Sequence, residues 1–127
     1  LMQAGKFVTA EADIFIQLSG IAALKKGDAL IVICSSGQSP EIVRITRQAK
    51  KVGAAIISLT NYSANPIRSL ADVNLFSVGQ EGFAEIPQII SSVSQQHVAD
   101  MLFSLLVNGD SGAKESLALS REAFENV

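Results

Sequence analysis

The apolar positions of this chain change period from one segment to the next, and each change marks an element. Ala29 to Cys34 is an unbroken apolar run, too short for a helix and rich in Ile and Val. It predicts a parallel strand covered on both faces. Ala54 to Leu59 and Val73 to Val78 predict two more strands. Between the first two, Ile42, Ile45, Ala49 and Val52 recur at helical spacing and predict the buried face of a helix. Ser39 is its expected N-cap and Pro40 its first residue. Glu41 in the first turn and Lys50 and Lys51 in the last suit the helix dipole, and Gly53 is the stop.

The same reading gives the remaining elements. Glu11 to Leu24 predicts a helix with Ile14, Leu18 and Ile21 on one face, closed by Lys25-Lys26-Gly27. Asn65-Pro66 repeats the cap-plus-proline signal and opens a short helix through Ala71. Ile86 to Val107 predicts a long helix that is apolar on more than one face. Asn108 to Gly112 reads as a break, and Ala113 to Asn126 as a last amphipathic helix with Leu117 and Phe124 inward. Lys6 to Thr9 reads as a short strand.

Strands that alternate with helices predict an α/β fold: a doubly wound parallel sheet flanked by helices, with right-handed crossovers. Ligands of such sheets bind beyond the carboxyl ends of the strands. Ser35 to Ser39, Thr60-Asn61 and Gly79 to Glu81 all fall at such ends. Ser35-Ser36-Gly37-Gln38-Ser39 offers hydroxyls, a glycine that lets the backbone approach a ligand, and the amino terminus of a helix, whose free N–H groups favour an anion. This composition suits a phosphate or a sugar carrying one. It equally suits a plain strand-to-helix turn, and spacing alone leaves both readings open.

Composition removes several classes. The 127 residues are enough for one domain with a real core. Apolar residues make up 48% and the mean hydropathy is +0.33, which points to a buried sheet plus an oligomer interface. No apolar run approaches a membrane span. The formal net charge of −2 makes the segment a poor nucleic-acid binder by itself. One Cys excludes an internal disulfide and fits a reducing cytoplasm, and no signal peptide is visible. With one Cys and one His a metal cluster is not expected, and no dinucleotide, Walker or nucleophile-elbow motif occurs, so no cofactor is expected either. Cys34 reads as a small core residue. His97 reads as a helix residue paired to Asp100, and Glu81 as either a loop-ordering residue or a sugar-site base.

Cys34-Ser35-Ser36-Gly37-Gln38-Ser39 resembles the Ser-x-Ser-Gly-x-Thr/Ser signature of the SIS (sugar isomerase) domain, a phosphosugar-binding fold of flavodoxin-like topology. More specifically, the chain resembles the C-terminal effector domain of RpiR-type bacterial transcription regulators. The resemblance extends to Ile57 through Asn61, Asn65 through Asp72, Gln95 through Phe103 and the terminal Ser120 through Val127. Cys34 departs from it, standing where the signature usually has its first Ser.

The resemblance implies a single SIS-type domain that senses a sugar phosphate and modulates DNA binding, with no catalytic residues. Ser35, Ser36, Gly37, Gln38, Ser39, Thr60 and Glu81 are the expected ligand-binding residues. A homo-oligomer, dimer or tetramer, is expected, with no membrane partner. DNA would be reached only through a helix-turn-helix domain upstream. SIS domains usually begin with a strand, a Gly/Ser-rich loop and a helix before the part that starts here, so the segment is expected to be part of a longer chain. The alternatives are a phosphosugar aldose–ketose isomerase on the same fold and a plain dimerisation module.

Overall fold

The computed structural model describes residues 1–78 and 87–125, the side chains of Pro87 and Gln88 excepted. They divide into two compact units, Glu11–Val98 and a second made of Leu1–Ala10 with Ala99–Val127.

The larger unit holds the sheet. Helix α1 (Ile14–Ala23) begins at Asp13, whose carboxylate accepts the N–H groups of Phe15 and Ile16. Strand β1 (Ala29–Ile33), helix α2 (Pro40–Lys51), strand β2 (Ala55–Thr60), the single-turn helix α3 (Pro66–Leu70) and strand β3 (Val73–Phe76) follow. The three strands are parallel and lie in the order β1-β2-β3, so the expected fold class is observed: one parallel sheet flanked by helices.

The main apolar cluster lies on one face of that sheet, with Leu59 buried on the other. Val32 and Ile56 pack with Ile21 of α1, Val43, Ile45 and Ala49 of α2, and Ile67 of α3. Helix α2 buries Val43 and Thr46 as well as Ile45 and Ala49, whereas Ile42 and Val52 are only half-buried. The buried stripe is therefore rotated from the one its apolar residues predict. Thr46 tolerates burial because its hydroxyl donates to the Ile42 carbonyl one turn back (2.7 Å).

Strand β1 is not covered on both faces. Val32 is buried, but its neighbours Ile31 and Ile33 are 39% and 53% exposed, and Val73 of β3, in line with Ile31 through Ile57, is half open. The continuous apolar run could not reveal this, since coverage depends on what packs against each face.

The second unit contains a turn of 3-10 helix (Met2–Ala4), the end of helix α4 (Pro87–Gly109) and helix α5 (Ser111–Glu125). The strand expected over Lys6 to Thr9 is absent. Instead Lys6 forms an ion pair with Asp110 (2.8 Å), and Ala4 and Ala113 are buried. The break expected over Asn108 to Gly112 shrinks to Asp110 alone. Its carboxylate accepts the Ala113 N–H (3.2 Å), which restarts a helix at once. Lys6 first, then that backbone contact, hold the Asp110 carboxyl below its ordinary value. Leu117 is half-buried but Phe124 is exposed, contrary to the inward placement expected of it.

At the amino-terminal ends of the strands, Asp72 ties the sheet to its helices. Its carboxylate accepts the Ile56 N–H (2.8 Å) and lies 3.6 Å from Lys50 Nζ, which also bonds the Leu70 carbonyl. The Ile56 amide first, opposed by desolvation and then aided by Lys50, holds the Asp72 carboxyl below its usual value. A carboxyl depressed by folding stabilises the fold above its unfolded value of about 3.9 and ceases to do so as the pH falls through the folded value. Asp72→Asn is therefore expected to lower the melting temperature at neutral pH. The gap from wild type should narrow below about pH 4, which thermal melts across the acid range will show.

Candidate functional site

The carboxyl ends of β1 and β2 are joined through the backbone. Cys34 N–H donates to the Leu59 carbonyl (3.0 Å) and Asn61 N–H to the Ser35 carbonyl (2.8 Å), so pairing continues beyond the strands. The chain then turns at Gly37, whose N–H donates to the Cys34 carbonyl (3.0 Å) and whose φ is 63°. Ser36 Oγ accepts the Gln38 N–H (3.2 Å), closing the turn from the side-chain end.

Asn65 fits into the space that Gly37 leaves. Its Oδ1 accepts the Arg68 N–H (2.8 Å) and so caps α3. Its Nδ2 donates to Thr60 Oγ1 (3.2 Å) and to the Ser63 carbonyl (3.0 Å). A Cβ at position 37 would lie 2.2 Å from Asn65 Cγ. Gly37 is thus required twice, by its left-handed backbone and by close approach of a buried carboxamide.

The serine loop leads into α2. Ser39 occupies the N-cap position, but its hydroxyl does not cap; it donates to Glu41 Oε2 (3.0 Å). The Glu41 carboxylate also accepts its own backbone N–H. That contact first, then the Ser39 hydroxyl, hold its carboxyl below the ordinary value. Val43 N–H begins the helical ladder on the Ser39 carbonyl (2.9 Å), so the N–H groups of Glu41 and Ile42 precede it. The loop therefore places exposed Ser35, Ser36 and Gln38, half-buried Ser39 and the first amides of α2 on one short segment, with the Glu41 amide held by its own carboxylate.

Not every expected residue is presented in this way. Thr60 is fully buried, with its hydroxyl between the Asn61 carbonyl and the Asn65 amide, so it braces the loop from beneath. Glu81 lies outside the described residues, as does Glu85. His97 is exposed on α4. Cys34 is half-buried, its Sγ 3.9 Å from Ser36 Oγ.

The structure adds residues that sequence reasoning passed over. Ser91 and Gln95 of α4 both reach Ser35: the two serine hydroxyls are 2.7 Å apart, and Gln95 Nε2 donates to Ser35 Oγ (2.7 Å). Ser94 Oγ accepts the Val78 N–H (2.8 Å) just beyond β3. The available signal was the run Ser91 to His97, polar at every position but Val93, within a helix expected to be apolar. Arg68 lies over the rings of Tyr62 and Phe76 (5.4 and 5.1 Å to their centroids), a cation held beside the ends of β2 and β3.

The opposite end of the sheet has an open cleft of about 470 Å³, lined by residues that include Lys26, Lys50 and Asp72. Lys50 and Asp72 are committed there to backbone groups and to each other, as described above. The chemistry suited to a ligand is concentrated at the carboxyl ends. Among the described residues, no group of side chains has the make-up of a metal site.

The SIS domain family model matches residues 2–105. The chain belongs to the SIS domain family. Over 98 residues it is 40% identical to an uncharacterised HTH-type transcriptional regulator of Caldanaerobacter subterraneus subsp. tengcongensis, covering 77% of this chain and 35% of the regulator. The chain thus spans about a third of that relative's length.

Two solved structures share the fold. The Vibrio vulnificus NanR protein complexed with ManNAc-6P superposes with a TM-score of 0.84 at 24% identity, over 96% of this chain and 46% of NanR. The sugar isomerase domain of an RpiR transcription factor from Sphaerobacter thermophilus gives 0.74 at 20% identity, over 98% and 67% of the respective chains. Among the described residues no helix is long and apolar enough to cross a membrane.

Gly37→Ala tests the architecture of the SIS loop. It adds both backbone strain at a positive φ and a clash with Asn65. It is expected to destabilise the domain by about 1–3 kcal/mol, read as a lower midpoint in urea unfolding. Asn65→Ala removes the α3 cap and is destabilising by itself, so the double variant is expected to lose less than the sum of the two single losses, the clash being gone while the strain remains.

Proposed function

We propose that this SIS domain is the sugar-phosphate-sensing part of a bacterial transcription regulator of the RpiR type. The observation that carries the proposal is the Ser35–Ser39 loop, which sets hydroxyls and the amino terminus of α2 at the carboxyl end of β1. Ser36 and Ser39, with the amides around Gly37 and at the start of α2, hold the phosphate. Ser35 and Gln38 border it, and Thr60 and Asn65 hold the loop in shape. Glu81 belongs to the same proposed site. The 40% identity to an HTH-type regulator supports a regulatory over a metabolic role, and the NanR complex with ManNAc-6P supports a phosphosugar as the class of ligand.

In this reading the DNA contacts are made by a helix-turn-helix domain elsewhere in a cytoplasmic protein. The ligand acts through its differential affinity for two arrangements of a homo-oligomer. Exposed Ile89 and Val93 support α4 as the surface through which copies associate.

Calorimetric titration of the full-length protein with a panel of sugar phosphates is the direct test. A charge-assisted hydrogen bond contributes about 1.5–3 kcal/mol, so Ser36→Ala and Ser39→Ala are each expected to weaken binding about tenfold or more. Wild-type affinity in both variants would remove the loop as the phosphate site.

Isomerisation would require a base against a substrate carbon and an acid near the carbonyl oxygen. His97 is exposed on α4, and regulation requires neither group. The expected outcome of an aldose–ketose conversion assay is no turnover. A rate of about 1 per second or more, abolished by Glu81→Gln or His97→Ala, would make the protein an enzyme.

A further inference from the structure

We propose that the Ser91–Gln95 face of α4 is the sugar-reading wall of the site, opposite the phosphate-holding loop. The inference rests on the phosphate site proposed above and adds the part that distinguishes one sugar from another.

Residues four apart lie on one face of a helix. Ser91 and Gln95 both meet the Ser35 hydroxyl at the end of β1, while Ser94, between them in sequence, meets the Val78 amide just beyond β3. Neighbouring parallel strands are about 4.8 Å apart, so this stretch of α4 extends across the ends of all three strands. Ser77, next to Val78 in sequence, is buried, and its hydroxyl has no hydrogen-bond partner among the described residues.

The chemistry of this face differs from that of the loop. Helix α4 carries Ile89, Ile90, Val93 and Val98 in the same stretch, so polar residues across the strand ends need a reason. Ser91 and Gln95 carry no charge. Together they offer hydroxyls that donate or accept and a carboxamide with two donors and an acceptor. Such a set matches the alternating donors and acceptors of a neutral polyol or acylamino sugar, whereas a phosphate requires donors alone. Ser35 occupies both groups, so a sugar hydroxyl that takes its place satisfies Ser91 and Gln95 while the exposed Ser35 hydroxyl turns to solvent.

The test separates the two halves of the ligand. Full-length wild type, Gln95→Met and Ser91→Ala are titrated by calorimetry with inorganic phosphate and with a series of hexose 6-phosphates that differ at one hydroxyl or acylamino group. Circular dichroism and melting temperature establish that each variant is folded, and Gln95→Met keeps the length of the side chain.

The expected result is that Gln95→Met and Ser91→Ala each compress the spread of affinities across the series by about fivefold, the worth of one hydrogen bond. Affinity for inorganic phosphate should move by less than about twofold, a change smaller than any hydrogen bond is worth. An unchanged ranking of sugars in both variants overturns the proposal. So does a proportional loss for phosphate and all sugars, which would make these residues supports of the loop only. Wild type that binds neither inorganic phosphate nor any hexose 6-phosphate removes the phosphate site, and the wall with it.

Discussion

The Asn65 carboxamide lies where three segments of backbone meet, and the site depends on it. One side chain caps α3, braces Thr60 at the end of β2 and fills the space over Gly37 in the loop after β1. None of these contacts is strong by itself. An ordinary hydrogen bond contributes about 1 kcal/mol. Their effect comes from sharing a single rigid group, so the loop, the strand end and the short helix have one arrangement in common. A buried amide that lost any of these partners would carry the cost of an unsatisfied polar group.

That rigidity matters because anion binding at a helix terminus is geometric. Amides of the first turn recognise an anion only when the approach is open and the hydroxyls beside them are oriented. In this SIS domain the terminus of α2 is screened by Glu41, which takes its own amide and the Ser39 hydroxyl. A phosphate would have to displace that carboxylate. Across the strand ends, Ser91 and Gln95 hold Ser35 in the same way. The polar groups of the loop are thus satisfied internally, which keeps them from weakening the fold.

The sheet is uneven in its coverage. The face under α1, α2 and α3 is closed around Ile56 and Ile67, whereas Ile31 and Ile33 on the other are open to solvent. Exposed isoleucines on a parallel strand, with further apolar residues on α4, account for the high mean hydropathy of this chain better than a large core does.

Local chemistry was legible in the residues alone. The three strands, the Ser39-Pro40 and Asn65-Pro66 helix starts and the parallel α/β class follow from short-range rules about turns, caps and apolar period, and those rules act within a few residues. The Cys34–Ser39 motif belonged to the same category, since its glycine and hydroxyls are contiguous. What tertiary structure decided were the matters of contact at long range. It made Val43 and Thr46 part of the α2 core, left Phe124 exposed and replaced a strand near Lys6 with an ion pair to Asp110. It turned Thr60 inward as a brace and brought Ser91 and Gln95 to Ser35 across more than fifty residues of chain. The period of a segment states which face can be buried; only the partner that arrives there determines which face is.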